Sequence, residues 1–363
     1  MSRWIWRAAW LLLPAAWLSH RFLQQSTLTF FVSCASLIPL AKTMGDATEA
    51  LAERMGPATG SLLNATFGNA AELILGVSAL RHGHVGLVKG SITGSILGNL
   101  LLVAGGSIVV GGARFNRLRF NRLAASSSVS TLFLAVVAMA VPTLLSLNRS
   151  PRYDPALLSE EISAVLVVMY GLSLWFGLRT HKEQLASARE PIAATPAEAA
   201  AGKAAQPPPH EHSIAFELGR LLLAAAATAI ASELLVDSLN GAVAALRLPE
   251  TFVGVVIVAI VGNAAEHSTA LLFANRGDMD VALGIAWESS KQIALLVAPV
   301  LVFAGVLLGA PMNLAFTRFE VVALGIAVVA LSLIALDGET HWLEGAFLLA
   351  VYAVLGMGFF FVG

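Results

Sequence analysis

Glu72 and Glu266 are the residues of this sequence best placed to do chemistry. Each closes the same five-residue run, Gly-Asn-Ala-Ala-Glu, at 68–72 and again at 262–266. Both runs lie inside apolar stretches long enough to cross a bilayer, where an ionised carboxylate is costly and usually functional. Asn69 and Asn263 stand three residues before their glutamates, which puts amide oxygen and carboxylate on one helical face. The glycine ahead of each asparagine loosens the helix. Carboxylates, amide oxygens and freed backbone carbonyls are hard donors, and such a set suits calcium or another hard cation with its about six to eight oxygens.

One divalent cation or two protons neutralise a pair of carboxylates equally well, so Glu72 and Glu266 are expected to be both the metal-binding and the proton-binding groups. Competition between the two species is then the coupling device: a loaded site can reorient, whereas an empty, doubly charged one resists crossing. Ser289 and Gln292 are further candidate oxygen donors at a helix interface. Glu288 and Lys291, at i and i+3, are expected to form an ion pair. His267 is the one imidazole beside the pair, and no Cys or His cluster offers softer ligands for zinc or copper. No cofactor is expected; the hard cation, Ca2+ or another, and H+ are expected as transported ions.

The elements that must hold these groups are membrane helices. The 363 residues are 57% hydrophobic and 12% charged, with mean hydropathy +0.78, which marks a polytopic membrane protein. Windows of about 20 apolar residues give eleven spans, near 5–20, 26–50, 58–80, 86–111, 122–147, 156–178, 213–238, 249–273, 279–308, 312–336 and 340–362. A net charge of −1 argues against nucleic acid as a partner. Arg114, Arg117, Arg119 and Arg122 share one short loop with no acid, and Arg179, Lys182, Arg189 and Lys203 follow span 6. Both segments are assigned to the cytoplasm by the positive-inside rule. With eleven spans this places the N-terminus, with Arg3 and Arg7, inside and the C-terminus outside. The compact loops and the lack of a cleavable signal suggest a prokaryotic inner (plasma) membrane.

Span 1 carries Trp4, Trp6, Trp10 and Trp17 as interfacial anchors and has no counterpart later in the chain. Cys34 in span 2 is read as a small buried apolar residue. Asp46 and Glu49 at the end of that span are read as a solvated helix end, with an entry path to the site as the other possibility; Glu233 and Asp237 on span 7 are the matching pair in the second half. Gly60, Asn64, Gly68, Glu72 and Gly76 recur every four residues in span 3, and Gly90, Gly94 and Gly98 repeat the device in span 4, flanked by Ser91, Ser95 and Asn99. Residues 180–212 read as a cytoplasmic linker; its His210-Glu211-His212 is read as solvated rather than as a metal site.

A shift of 194 residues aligns Gly60 with Gly254, Glu72 with Glu266, Gly90 with Gly284, Ser95 with Ser289 and Gly111 with Gly305. An internal duplication of five spans explains this register. Because five is odd, the halves enter the membrane from opposite sides, as inverted repeats with a site between them at the midplane. The expected organisation is therefore a leading transmembrane helix (1–25), a first five-helix repeat (26–179), the linker (180–212) and a second five-helix repeat (213–363), all-α throughout.

Ser61 to Ile74, Gly94 to Leu102, Val261 to His267 and Gln292 to Leu295 resemble, in order, the signatures of the calcium/proton exchanger family of the cation/calcium exchanger superfamily. The resemblance implies one leading helix followed by two inverted five-helix repeats, Glu72 and Glu266 as the central calcium and proton carboxylates, and Asn69, Asn263, Ser289 and Gln292 as oxygen donors. Family members commonly have Gly-Ser-x-x-Gln in span 9; here Glu288 replaces the glycine and Lys291 adjoins the glutamine. The function expected is Ca2+/H+ antiport by alternating access. Na+ or K+ exchange, for Ca2+ or H+, is the alternative on the same scaffold. A membrane-embedded hydrolase using the paired acids, and a channel, are the readings from other classes.

Overall fold

The computed structural model describes residues 10–23, 25–55, 60, 63–64, 66–147, 153–180 and 213–362, and they are almost entirely helical. Twelve helices are named here. α1 is Leu12–Leu18, and a wider π turn, Ser19–Leu23, follows it. The others are α2 (Ser26–Met55), α3 (Ala70–Arg81), α4 (Val85–Gly112), α5 (Arg122–Leu147), α6 (Pro155–Arg179), α7 (Ile214–Leu246), α8 (Glu250–Gly262), α9 (Ala264–Asn275), α10 (Met279–Leu307), α11 (Arg318–Ile334) and α12 (Trp342–Val362). Helices are the expected answer to sequences this apolar, because a segment in lipid must satisfy its backbone groups internally.

Seven of the described helices, α2, α4, α5, α6, α7, α10 and α12, are long and apolar enough to cross a membrane; the pair α8 and α9, bent by 59° at a short break, makes an eighth. The other three apolar runs of the sequence correspond to shorter helices. α1 has seven residues, α3 has twelve because its run is interrupted at Gly68-Asn69, and α11 has seventeen. The linker, including His210-Glu211-His212, lies outside the described residues, as do Arg3 and Arg7.

Local chemistry sets the helix ends. Asp154 caps α6 by accepting from the N–H groups of Ala156 and Leu157, with Pro155 at the first helical position. Thr317 and Glu320 form a reciprocal capping box at the start of α11. After α3 and after α9 the chain turns through Gly83 (φ +78°) and Gly277 (φ +86°), a conformation that favours glycine. The same two turn bonds close both: His84 N–H to Ala79 O and Gly83 N–H to Leu80 O, then Asp278 N–H to Phe273 O and Gly277 N–H to Ala274 O.

Packing ties the two halves of the chain together. α2 and α7 lie antiparallel along most of their length: Gly241 meets Ser26 near one end, Thr228 Oγ1 bonds Met44 Sδ at 3.3 Å, and Arg220 reaches Asp46 at 3.7 Å near the other. α4 crosses α8 backbone against backbone. A Cβ at Gly90 would fall 2.9 Å from Thr251 O, one at Gly254 would fall 2.8 Å from Leu87 O, and one at Gly94 would overlap the Val255 backbone. Small residues are what permit that approach. At one end of the bundle a two-residue antiparallel bridge pairs Leu118 with Thr340 and Arg119 with Glu339, joining the α4–α5 loop (113–121) to the α11–α12 loop (335–341).

Candidate cation and proton site

Both Gly-Asn pairs mark interruptions in helix. Asn69 (φ −103°, ψ 21°) and Asn263 (φ −94°, ψ 8°) leave the helical region, and new helices begin at the next residue. Glu72 and Glu266 therefore sit in the first turns of α3 and α9, at the positive end of each helix dipole. The Asn69 carbonyl accepts from Leu73 N–H at 3.1 Å and the Asn263 carbonyl from His267 N–H at 2.9 Å. Neither asparagine uses its side chain as a cap. Both side chains are free to point elsewhere.

They point into the opposite half of the chain. Asn69 Nδ2 donates to Gln292 Oε1 at 2.5 Å, Asn263 Nδ2 donates to Ser95 Oγ at 2.8 Å, and Asn99 Nδ2 donates to Ser289 Oγ at 2.9 Å. Asn263 also donates to Ala259 O at 3.0 Å. All three asparagines, Ser95 and Ser289 are buried. With their N–H groups committed, the amide oxygens of Asn69, Asn99 and Asn263 have no hydrogen-bond partner, and neither has Glu266 Oε2. Buried oxygens without donors are what a cation seeks and what a folded protein otherwise avoids.

Glu72 and Glu266 face this cluster from its two sides. Glu72 lines a crevice with Ser91, Ser95, Leu37, Val258 and Gly262. Ser289 lies within hydrogen-bonding reach of Glu266, and the charges of Glu72 and Glu266 act on one another. All six residues expected from the sequence, Glu72, Glu266, Asn69, Asn263, Ser289 and Gln292, are thus in one neighbourhood. His267 stands beside it with Nε2 buried and unpartnered. Wider π turns occur here too: Gly98–Val103 in α4 contains Asn99, and Ile293–Val297 in α10 follows Gln292; such irregularities are frequent at functional sites.

Asn99 and Ser95 were legible only as polar neighbours of the span 4 glycines. The 194-residue register carried a signal for Ser95, which matches Ser289; Asn99 matches Ile293 and had none. Glu288 and Lys291 form the expected ion pair, with Lys291 buried and Glu288 exposed. Asp46 is held by Lys42 at 2.8 Å and Arg220 at 3.7 Å. Glu233 and Asp237 each lie 3.5 Å from His82 Nε2. Among the described residues no three acids, histidines or cysteines converge as a metal site, so the oxygens of any site here come largely from amides and hydroxyls.

Known proteins share this plan. A family model described as sodium/calcium exchanger protein matches residues 25–179 and 216–361. The chain is 41% identical over 353 residues to the Ca(2+)/H(+) antiporter of Aphanothece halophytica, covering 97% of this chain and 95% of that protein. It is 41% identical over 336 residues to the Ca(2+)/H(+) antiporter ChaA of Bacillus subtilis, covering 92% of each. The solved structure of native YfkE is similar over 98% of this chain and 100% of its own, with a TM-score of 0.81 and 36% identity.

Proposed function

The chain belongs to the sodium/calcium exchanger protein family, and within it to the calcium/proton exchangers, and from that premise we propose that it exchanges Ca2+ for H+ by alternating access. Its relatives are transporters, not enzymes, which sets the hydrolase reading aside. Calcium and protons compete for Glu72 and Glu266 at the midplane, and Asn69, Asn263, Ser289 and Gln292, with Asn99 and Ser95, supply the remaining oxygens. The observation that carries this reading is the set of buried amide oxygens left without partners around two half-helix carboxylates.

In this reading the loaded site is neutral and crosses, either as one Ca2+ or as two protons. The empty site carries two uncompensated charges in a low-dielectric interior and does not. The organisation that goes with it is eleven spans: a leading helix in 1–25, inverted five-helix repeats in 26–179 and 213–363, and a cytoplasmic linker at 180–212. The matching turns at Gly83 and Gly277 and the matching breaks at Asn69 and Asn263 support the duplication. The arginine-rich loop 113–121 faces the cytoplasm, the N-terminus is inside, and the protein resides in the inner (plasma) membrane of a prokaryote.

The test is calcium uptake into reconstituted vesicles carrying an imposed pH gradient, with Glu72→Gln and Glu266→Gln as comparisons. Uptake that follows the gradient without sodium or potassium, and is lost in both variants, is the expected result. Uptake that requires sodium or potassium would assign the counter-ion role to that cation. Voltage-driven flux without counter-transport would make the protein a channel.

A further inference from the structure

The end of the bundle opposite the arginine-rich loop carries a cluster that the exchange mechanism does not use. His82 follows α3 directly, and its Nδ1 lies 2.9 Å from Ser78 O. A carbonyl can only accept, so Nδ1 bears the proton and the tautomer is fixed. Nε2 then points across to α7, 3.5 Å from Glu233 Oε2 and 3.5 Å from Asp237 Oδ1. The neutral ring presents a lone pair to two carboxylates there, whereas the protonated ring presents an N–H. Protonation of one atom converts a repulsive contact between α3 and α7 into a double ion pair.

We propose that His82, Glu233 and Asp237 form a latch that closes the outer end of the exchanger when the outside is acid. The other charged groups at this end are Arg81, 3.8 Å from Glu233, and the pair His84 and Glu250, 3.4 Å apart on the α3–α4 turn and the start of α8. Glu250 is also held by Leu87 N–H at 2.9 Å. Arg81 is a permanent cation and supplies a constant part of the attraction; His82 supplies the part that varies. At its other end α7 is tied to α2 by the ion pair of Arg220 and Asp46, 3.7 Å apart. A crevice that reaches Glu72 is lined by Leu75 and Ala79 of α3, the helix that His82 follows, and by Leu87 and Leu301. All three latch side chains are half-exposed, so protons reach them from the aqueous phase.

The consequence is a brake separate from competition at the transport carboxylates: acid outside slows the cycle even with calcium saturating. The proposal rests on the exchange reading for its kinetic readout and on the cytoplasmic assignment of loop 113–121 for the word outer. The kinetic test measures exchange rates at saturating calcium and a fixed pH difference while both compartments are shifted together. The ratio of the His82→Gln rate to the unaltered rate is expected to be near one at the alkaline end of the range and to rise to about threefold at the acid end, the effect of two half-exposed ion pairs. His82→Arg is expected to stay slow across the range. A ratio that does not change with pH overturns the latch.

A second measurement does not depend on transport. Nitroxide labels at Asn240→Cys on α7 and Leu307→Cys at the end of α10, in a Cys34→Ala background, report their separation in the full chain in lipid. A distance distribution that narrows in acid for His82, and is indifferent to pH in His82→Gln, supports the latch even if the exchanged ions prove to be different. Identical distributions at both pH values overturn it.

Discussion

Glu72, in the first half of the chain, faces Gly262 in the second: a Cβ built at Gly262 would lie 3.6 Å from Glu72 Oε1. The carboxylate of one motif therefore stands over the helix break of the other. That distance is ordinary van der Waals contact, so Gly262→Ala is expected to fold with its thermal midpoint within a few degrees of the unaltered protein. The methyl takes space beside the carboxylate, and calcium KM is expected to rise several-fold. Uptake kinetics and a thermal melt of the same preparation check both halves of the statement.

Proton and calcium share the same oxygens, so the pH dependence of affinity has a definite sign. Raising pH removes the competitor and lowers calcium KM, by up to about tenfold per pH unit for each proton displaced, and by a limiting slope of about two where both glutamates are protonated. Glu72→Gln and Glu266→Gln each remove a charge and an exchangeable proton. Both are expected to lose more than about a hundredfold in calcium-dependent proton release, measured with a pH-sensitive dye inside the vesicles.

Asn99 and Asn263 test the amide oxygens. Asn263→Ala deletes the bonds to Ser95 Oγ and Ala259 O as well as a free oxygen, and is expected to cost about 1–3 kcal/mol of stability together with most of the transport. Asn99→Ala removes one bond, to Ser289, and one free oxygen. It is expected to weaken calcium binding by about tenfold, read by titration calorimetry. A wild-type affinity in Asn99→Ala would remove that residue from the site.

Lys291 is buried in mid-span with Glu288 as its ion-pair partner, and Glu288 is exposed. Glu288→Gln strands a buried ammonium and is expected to destabilise the protein by about 1–3 kcal/mol, less than for a fully buried pair because the Glu288 side chain is itself exposed. Replacing both, as Glu288→Gln with Lys291→Met, is expected to restore most of that loss. Melting temperatures of the two single variants and the double variant complete the cycle.

The crossing of α4 and α8 has no room for a side chain at Gly94, where a Cβ would overlap the backbone of Val255. Gly94→Ala is expected to force the two helices apart at a cost of about 1–3 kcal/mol or more, seen as lower yield and a lower melting temperature. Gly284→Ala, at the position of the second half that matches Gly90, meets nothing within 4 Å and is expected to be silent.

The two motifs, their 194-residue register and the six candidate site residues were legible starting from two acids inside apolar runs, which have few uses. Ser289 and Gln292 were readable from type and position. The helix breaks were readable only as a tendency: Gly262 and Gly68 announced looseness, but no local window gives the 59° bend between α8 and α9. Span counting by hydropathy took 58–80 and 249–273 as continuous runs for the same reason. Asp46 was read as part of a solvated helix end and Glu233 and Asp237 as lining of an entry path; the structure sets each beside a basic side chain. Arg220, 174 residues from Asp46, and Arg81 and His82, which face Glu233 and Asp237, come from other parts of the chain, and composition is blind to that separation.

The three amide bonds across the centre, residue 69 to 292, 99 to 289 and 263 to 95, have a bearing on descent. Each donor is answered by an acceptor in the other half of the chain, so a change at 95 is visible at once to 263, and one at 289 to 99. The two halves are therefore not free to vary independently, and substitutions at these six positions are expected to be inherited in couples.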